Sequence, residues 1–328
     1  MCKTENPCKN NGTCIDQPDQ SYACNCSTTT VYSGENCTEL GILLISTTDV
    51  DKRAEAYFPD QPQYNRALPN TFPKAFEAAA AVIKDESAQP VLVLVAGEDV
   101  PTNSRRKSYF LNLNTFLLSN GPDISADRRH LTAGAVLNNS FVICGGYGTS
   151  ASLSTCERLD WNQSQWQPFL PNMPYSPYGH AASEVNGVLY MVCGSGEKDV
   201  FAYKPSQNQW QLVLRDQVTR YRPGVAVFNN TLVICGGVHI PPDWVTLKSC
   251  IRFDPTSNSS LPIADMNVAR SALALVVYKG KLYAIGGFDG SARKTVEVYS
   301  EDLNSWSVAA VSMINPAREV VAVNLRDM

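Results

Sequence analysis

Val233-Ile234-Cys235-Gly236-Gly237 is an apolar run of strand length that stops on a pair of glycines, and the chain repeats it. Val142-Ile143-Cys144-Gly145-Gly146 and Ala284-Ile285-Gly286-Gly287 are close copies; Val95-Ala96-Gly97 and Val192-Cys193-Gly194-Ser195 are degenerate ones. With Ala96, Gly145, Gly194, Gly236 and Gly286 as equivalent positions, the steps are 49, 49, 42 and 50 residues. One more step back reaches Thr47, at the end of Gly41-Ile42-Leu43-Leu44-Ile45-Ser46, so six units share a period of about 48 residues. Glycine at a strand end serves close backbone approach and dihedrals that a Cβ would forbid.

A second landmark follows each glycine pair. Tyr203 and Trp210 lie seven residues apart, as do Tyr299 and Trp306, Leu159 and Trp166, Tyr109 and Phe116, and Tyr57 and Tyr64. Turn-forming residues fill the intervals, as in 160–165, 204–209 and 300–305, which predicts strand, turn, strand. Each unit then holds four short strands.

A diglycine with a spaced Tyr and Trp on this period resembles the kelch repeat, over nearly all of 41–328. The resemblance implies an all-β, six-bladed kelch β-propeller over residues 40–328. The competing reading is another all-β repeat. The chain ends on Ala317-Arg318-Glu319-Val320-Val321-Ala322-Val323-Asn324-Leu325, which reads as an innermost strand with no blade after it. The first unit starts at its second strand. Pairing the two completes blade one and leaves no open sheet edge.

Cysteine divides the chain in two. Of 11 cysteines, six (Cys2, Cys8, Cys14, Cys24, Cys26 and Cys37) fall in the first 37 residues. That density implies a disulfide scaffold and an oxidising compartment; a zinc site competes weakly, since the spacing lacks paired C-x2-C and only three His exist. Sequons at Asn11, Asn25, Asn36, Asn138, Asn162, Asn229 and Asn258 are expected glycosylation sites and favour a secreted, extracellular chain. Met1-Cys2 opens with neither a charged nor an apolar leader, so a signal peptide is expected to have been removed or to lie upstream.

The spacing C-x5-C-x5-C-x9-C-x-C-x10-C, ending on Tyr32-Ser33-Gly34-Glu35-Asn36-Cys37, resembles an EGF-like domain over residues 2–39. Six cysteines allow 15 pairings, and spacing does not choose among them. The resemblance implies Cys2–Cys14, Cys8–Cys24 and Cys26–Cys37. Calcium would need six or more oxygens that the region does not display. Thr13 matches the family's O-fucose acceptor position and reads equally well as an ordinary strand residue.

Register argues two further bridges. Cys144 and Cys235 directly precede their glycine pairs, while Cys156 and Cys250 stand three residues before Leu159 and Phe253. Cross-strand disulfides Cys144–Cys156 and Cys235–Cys250 follow. Cys193, read as facing Val200, is the odd thiol and is expected to be buried.

Function is sought at the channel mouth, in the segments that lead into the innermost strands. Lys74, Arg128, Arg129, Arg220, Arg222, Arg270 and Arg318 stand there, and the one blade without a cation offers Tyr175 and Tyr178. Lys74, Arg129, Tyr178, Arg220, Arg270 and Arg318 are the expected ligand-binding set, because a guanidinium fork fits carboxylate, sulfate or phosphate. The competing reading makes these arginines structural ties between blades. Trp244, beside Pro241-Pro242, is an expected interface anchor.

The chain is 328 residues long, 44% hydrophobic and 18% charged, which argues against wholesale disorder. A net charge of −4 gives no electrostatic reason to expect nucleic acid. No apolar run approaches the ~18 residues that membrane insertion requires. EGF followed by kelch resembles part of the attractin-type extracellular proteins. The expected function is non-catalytic interaction with an extracellular protein or anionic glycan, with no metal and no cofactor. The alternative is a secreted carbohydrate-active enzyme, sialic-acid isomerase-like or copper oxidase-like, with an arginine-lined channel.

Overall fold

The computed structural model describes residues 2, 7–9, 12–19, 21–26, 32–46, 53–71, 79–95, 106–125, 131–148, 150–169, 171–240 and 243–327. Lys74, Arg128, Arg129, His130 and Asn11 lie outside them.

The protein is all-β. Six four-stranded antiparallel sheets form the blades of a propeller. Blades two, three, four and six each use four consecutive strands, beginning at Ala79–Lys84, Ala133–Leu137, Ala181–Val185 and Ala274–Tyr278. Blade five begins at Gly224–Phe228 and inserts a small hairpin, Val238–His239 with Val245–Thr246, between its second and third strands. Blade one is composite. Its innermost strand is the C-terminal Val320–Asn324, paired with Ile42–Ser46 from the other end of the chain. Arg53–Tyr57 and Arg66–Thr71 complete it.

Strand composition follows from burial on both faces, which favours continuous apolar runs over strict alternation. Leu43 and Ile45 face blade two, where they meet Leu92 and Leu94. Ile42 and Leu44, on the opposite face, meet Tyr283 and Ile285 of blade six. The other interblade cores are built the same way, as where Val233 and Cys235 of blade five meet Leu282 and Ala284 of blade six. The hydrophobic core is thus a ring of interblade seams.

The spaced aromatics tie these seams. Tyr203 and Trp210 are cross-strand partners, as are Tyr299 and Trp306. Each tyrosine hydroxyl donates to a turn asparagine, Asn208 or Asn304, at 2.8 Å. Each indole Nε1 donates at 2.9 Å to a carbonyl beside the preceding blade, Pro171 or Ala264. The landmark fails in the first two blades. Tyr109 pairs with Asn120, Phe116 sits in the turn at φ 56°, and Tyr64 belongs to a 3-10 turn.

Disulfides join Cys2–Cys14, Cys8–Cys24 and Cys26–Cys37 in the N-terminal module, and Cys144–Cys156 and Cys235–Cys250 across adjacent strands. Cys193 does not face Val200. Val192 holds that register, and a bulge follows it, so Cys193 occupies the slot of the first glycine. The N-terminal module rests on blades one and six. The Tyr278 hydroxyl donates to the Leu40 carbonyl at 3.0 Å, Lys279 Nζ meets Glu39 at 3.2 Å, and Arg66 reaches the Tyr32 carbonyl.

Candidate functional site: the channel mouth

The glycine pairs build the mouth. The amide of the second position (Gly146, Gly194, Gly237 or Gly287) donates to the carbonyl leading into the next blade, at Pro177, Arg220, Arg270 or Ala317, over 2.8 to 3.1 Å. The first glycine lies directly against that carbonyl. A Cβ on Gly236 would stand 2.2 Å from Arg270 O, and one on Gly286 would stand 2.8 Å from Ala317 O.

Two residues further on, a second belt runs round the channel. Leu131, Gly179, Arg222, Ala272 and Glu319 all adopt φ between 51° and 61°. Each amide from Gly179 onward donates to the carbonyl of the preceding member, at 3.0, 2.6, 2.8 and 2.8 Å. The belt joins five successive blades.

It also separates the mouth arginines into two registers. Arg220 and Arg270 stand two residues before the belt and turn into the wall, where they are 1% and 0% exposed. Arg270 donates to Glu297 at 3.0 Å, to the Gly286 and Thr295 carbonyls at 2.7 and 2.8 Å, and to Thr295 Oγ1 at 2.9 Å. Arg220 is held alike by Asp216 at 2.8 Å, the Gly236 and Ser249 carbonyls, and Ser249 Oγ. The expectation that Arg220 and Arg270 bind a ligand is therefore corrected. Their donors are committed to carboxylates and carbonyls inside the wall, and withdrawing them would strand buried acids.

Arg318 and Tyr178 stand one position later and remain partly exposed. Arg318 lies over the Phe288 ring at 5.6 Å. Tyr178 packs edge-on between Tyr147 and Tyr221, with centroids at 5.5 and 5.9 Å, and Arg222 covers Tyr221 at 5.1 Å. The result is a crescent of aromatic rings and guanidinium groups. Burial pushes the Tyr221 hydroxyl well above its ordinary range.

The belt lines a cavity of about 140 Å³, which shares Arg222 with the crescent and whose polar lining is Thr132, His180, Arg222 and Glu319. Arg222 pairs with Glu319 at 3.2 Å. Desolvation lowers the Arg222 pKa and the Glu319 carboxylate opposes that shift. Trp244 is apart from the crescent, 69% exposed on the blade-five insertion beside Val245.

Sequence reasoning placed Arg318 and Tyr178 at this mouth but missed Tyr147, Tyr221 and Phe288. The available signal was register. Phe288 and Tyr147 directly follow a glycine pair, and Tyr221 directly follows the buried arginine Arg220.

A family model for the EGF-like domain matches residues 2–36, and one for the Kelch motif matches 219–267 and 269–310. This is an EGF-like domain followed by a kelch propeller. Kelch-like protein 15 of Mus musculus is 25% identical over 222 residues, which cover 58% of this chain and 36% of that protein. Kelch-like protein 40 of Xenopus tropicalis is 27% identical over 175 residues, covering 51% of this chain and 28% of that protein. The alignments thus span only about a third of the length of these relatives. The solved structure of YjhT superposes with a TM-score of 0.65 at 13% identity, covering 77% of this chain and 88% of that one. At that identity the likeness is one of fold. Among the described residues, no helix is long and apolar enough to cross a membrane.

Proposed function

We propose that this kelch propeller is a secreted or extracellular, non-catalytic interaction protein that binds an acidic protein segment or anionic glycan at the channel mouth. The observation that carries the reading is the crescent of Tyr147, Tyr178, Tyr221, Arg222, Phe288 and Arg318. Aromatic rings and guanidinium groups are the side chains most enriched at binding hot spots, and Arg318 adds a forked donor for carboxylate or sulfate. The exposed Trp244 is a second anchor on the same reading. The extracellular setting is supported by five disulfides and by Asn138, Asn229 and Asn258, which are exposed at left-handed turn positions and suit glycan attachment. Lys74 and Arg129 stay in the proposed ligand set from their place in the sequence.

One observation favours the enzymatic alternative: His180, Arg222 and Glu319 converge on one cavity. Its volume of about 140 Å³ is below the roughly 300 Å³ at which small-molecule pockets begin, and Arg222 and Glu319 offset each other's charge. Both features suit a shallow docking surface better than a substrate chamber.

The test is an array of acidic peptides and anionic glycans probed with wild type, Arg318→Glu/Tyr178→Ala and Trp244→Ala. Binding that is lost in the double variant at unchanged melting temperature supports the mouth. Loss only in Trp244→Ala moves the site to the insertion, and turnover of a glycan by wild type would favour the enzyme.

A further inference from the structure

The composite blade carries a buried acid without the arginine that its counterpart has. Ile45 pairs with Ala54 and Ile42 with Tyr57 in blade one, as Ile285 pairs with Val296 and Leu282 with Tyr299 in blade six. Glu55 is therefore the register equivalent of Glu297. The belt residues Glu319 and Ala272 are likewise equivalent, which puts Ala317 where blade six has Arg270. The remaining contacts match. Glu297 accepts the Asn267 amide at 2.7 Å, three residues before Arg270. Glu55 accepts the Ile314 amide at 3.0 and 3.1 Å, three residues before Ala317. Both acids are buried, at 0% and 7% exposure, but among the described residues only Glu297 of the two has a guanidinium against it.

The location matters. Glu55 belongs to the N-terminal part of blade one, and Ile314 and Ala317 to the segment that delivers the closing strand 320–324. The hydrogen bond between them spans the seam where the two ends of the chain meet. We propose that Glu55 is a proton-operated latch on ring closure: the closing strand is held more firmly when this carboxyl is protonated than when it is ionised.

Among the described residues, no cation pairs with this carboxyl. Strand 42–46 contributes no ionisable side chain. Arg53 and Tyr57 flank Glu55 on its own strand, Arg66 stands on strand 66–71, and Arg318 and Glu319 follow Ala317. None of them forms an ion pair with Glu55 among the described residues; Arg53 shares the small cavity beside it with Leu44, Ser46, Met313 and Ala317 but is exposed. Desolvation raises the Glu55 pKa from 4.5 to about 7, opposed by the Ile314 amide. Opening the seam returns the carboxyl to water and to its ordinary range. The closed ring thus binds the proton more tightly than the open one, so the stabilisation is complete below pH 4.5 and lost as pH rises through about 7.

Hydrogen exchange of strand 320–324, corrected for intrinsic rates and compared with strand 274–278 of blade six, reads the opening directly. From pH 5 to pH 8 the opening constant of the wild-type closing strand is expected to rise by up to about a hundredfold, with melting temperature falling on the order of 5 °C. Glu55→Gln should remove both trends. Ala317→Arg, which restores the guanidinium register, should flatten them as well. Carboxyl-carbon NMR on wild type needs no variant to fold, and should find one glutamate titrating near neutrality. Retention of the full pH dependence in Glu55→Gln, or titration of every glutamate in the ordinary carboxylate range, would overturn the proposal.

Discussion

At the scale of single residues, the mouth is decided by how many residues before a backbone belt an arginine stands. Arg270 lies two residues before its belt member and is sealed against Glu297; Arg318 lies one residue before its own and is partly exposed over Phe288. Arg270→Ala leaves a buried carboxylate alone, and equilibrium unfolding should show a loss of about 3–5 kcal/mol. Arg318→Ala should cost less than about 1 kcal/mol in the same assay. Glycine gives a parallel contrast. Gly236→Ala drives a Cβ to 2.2 Å from a carbonyl, whereas Gly280→Ala meets nothing within 4 Å. Both glycines have positive φ, so Gly280→Ala should cost about 1 kcal/mol and Gly236→Ala several times that. The sequence shows that arginines recur near the mouth. It does not show their direction, because neighbouring positions face the wall and the opening in turn, and only the belt fixes which is which.

At the scale of strands and blades, much was legible because the repeat is printed as apolar runs and glycine pairs. Both bridges in the propeller follow from register, since Cys144 and Cys235 hold the place of Ile285, and Cys156 and Cys250 that of Val296. Replacing Cys235 and Cys250 by serine opens a loop with a sequence separation of 15. A loss of about 2–3 kcal/mol is expected in thermal unfolding. The aromatic spacing was less informative where the turn differs. Blade one inserts a 3-10 turn that lengthens the connection, and in blade two the seven-residue pair is Leu111 with Leu118, two positions beyond Tyr109 and Phe116. Blade four hid its register because a bulge lets Cys193 stand in a glycine slot.

At the scale of the whole molecule, the ring closes through five antiparallel partners between Val320–Asn324 and Ile42–Ser46. A chain ending at residue 315 loses that strand and the Ala317 carbonyl that Gly287 requires. It should unfold at lower temperature with broadened cooperativity, and trypsin should cut blades one and six before blade four. The EGF-like domain rests on these same two blades through Glu39 and Tyr32, so it braces the closure. The central claim concerns the open face of this ring, and one measurement bears on it most directly: binding of an acidic peptide and glycan array by wild type and by Arg318→Glu/Tyr178→Ala, with melting temperatures in parallel. The account predicts a ligand that the double variant loses at least tenfold while its melting temperature stays unchanged. Equal binding by both proteins would contradict it.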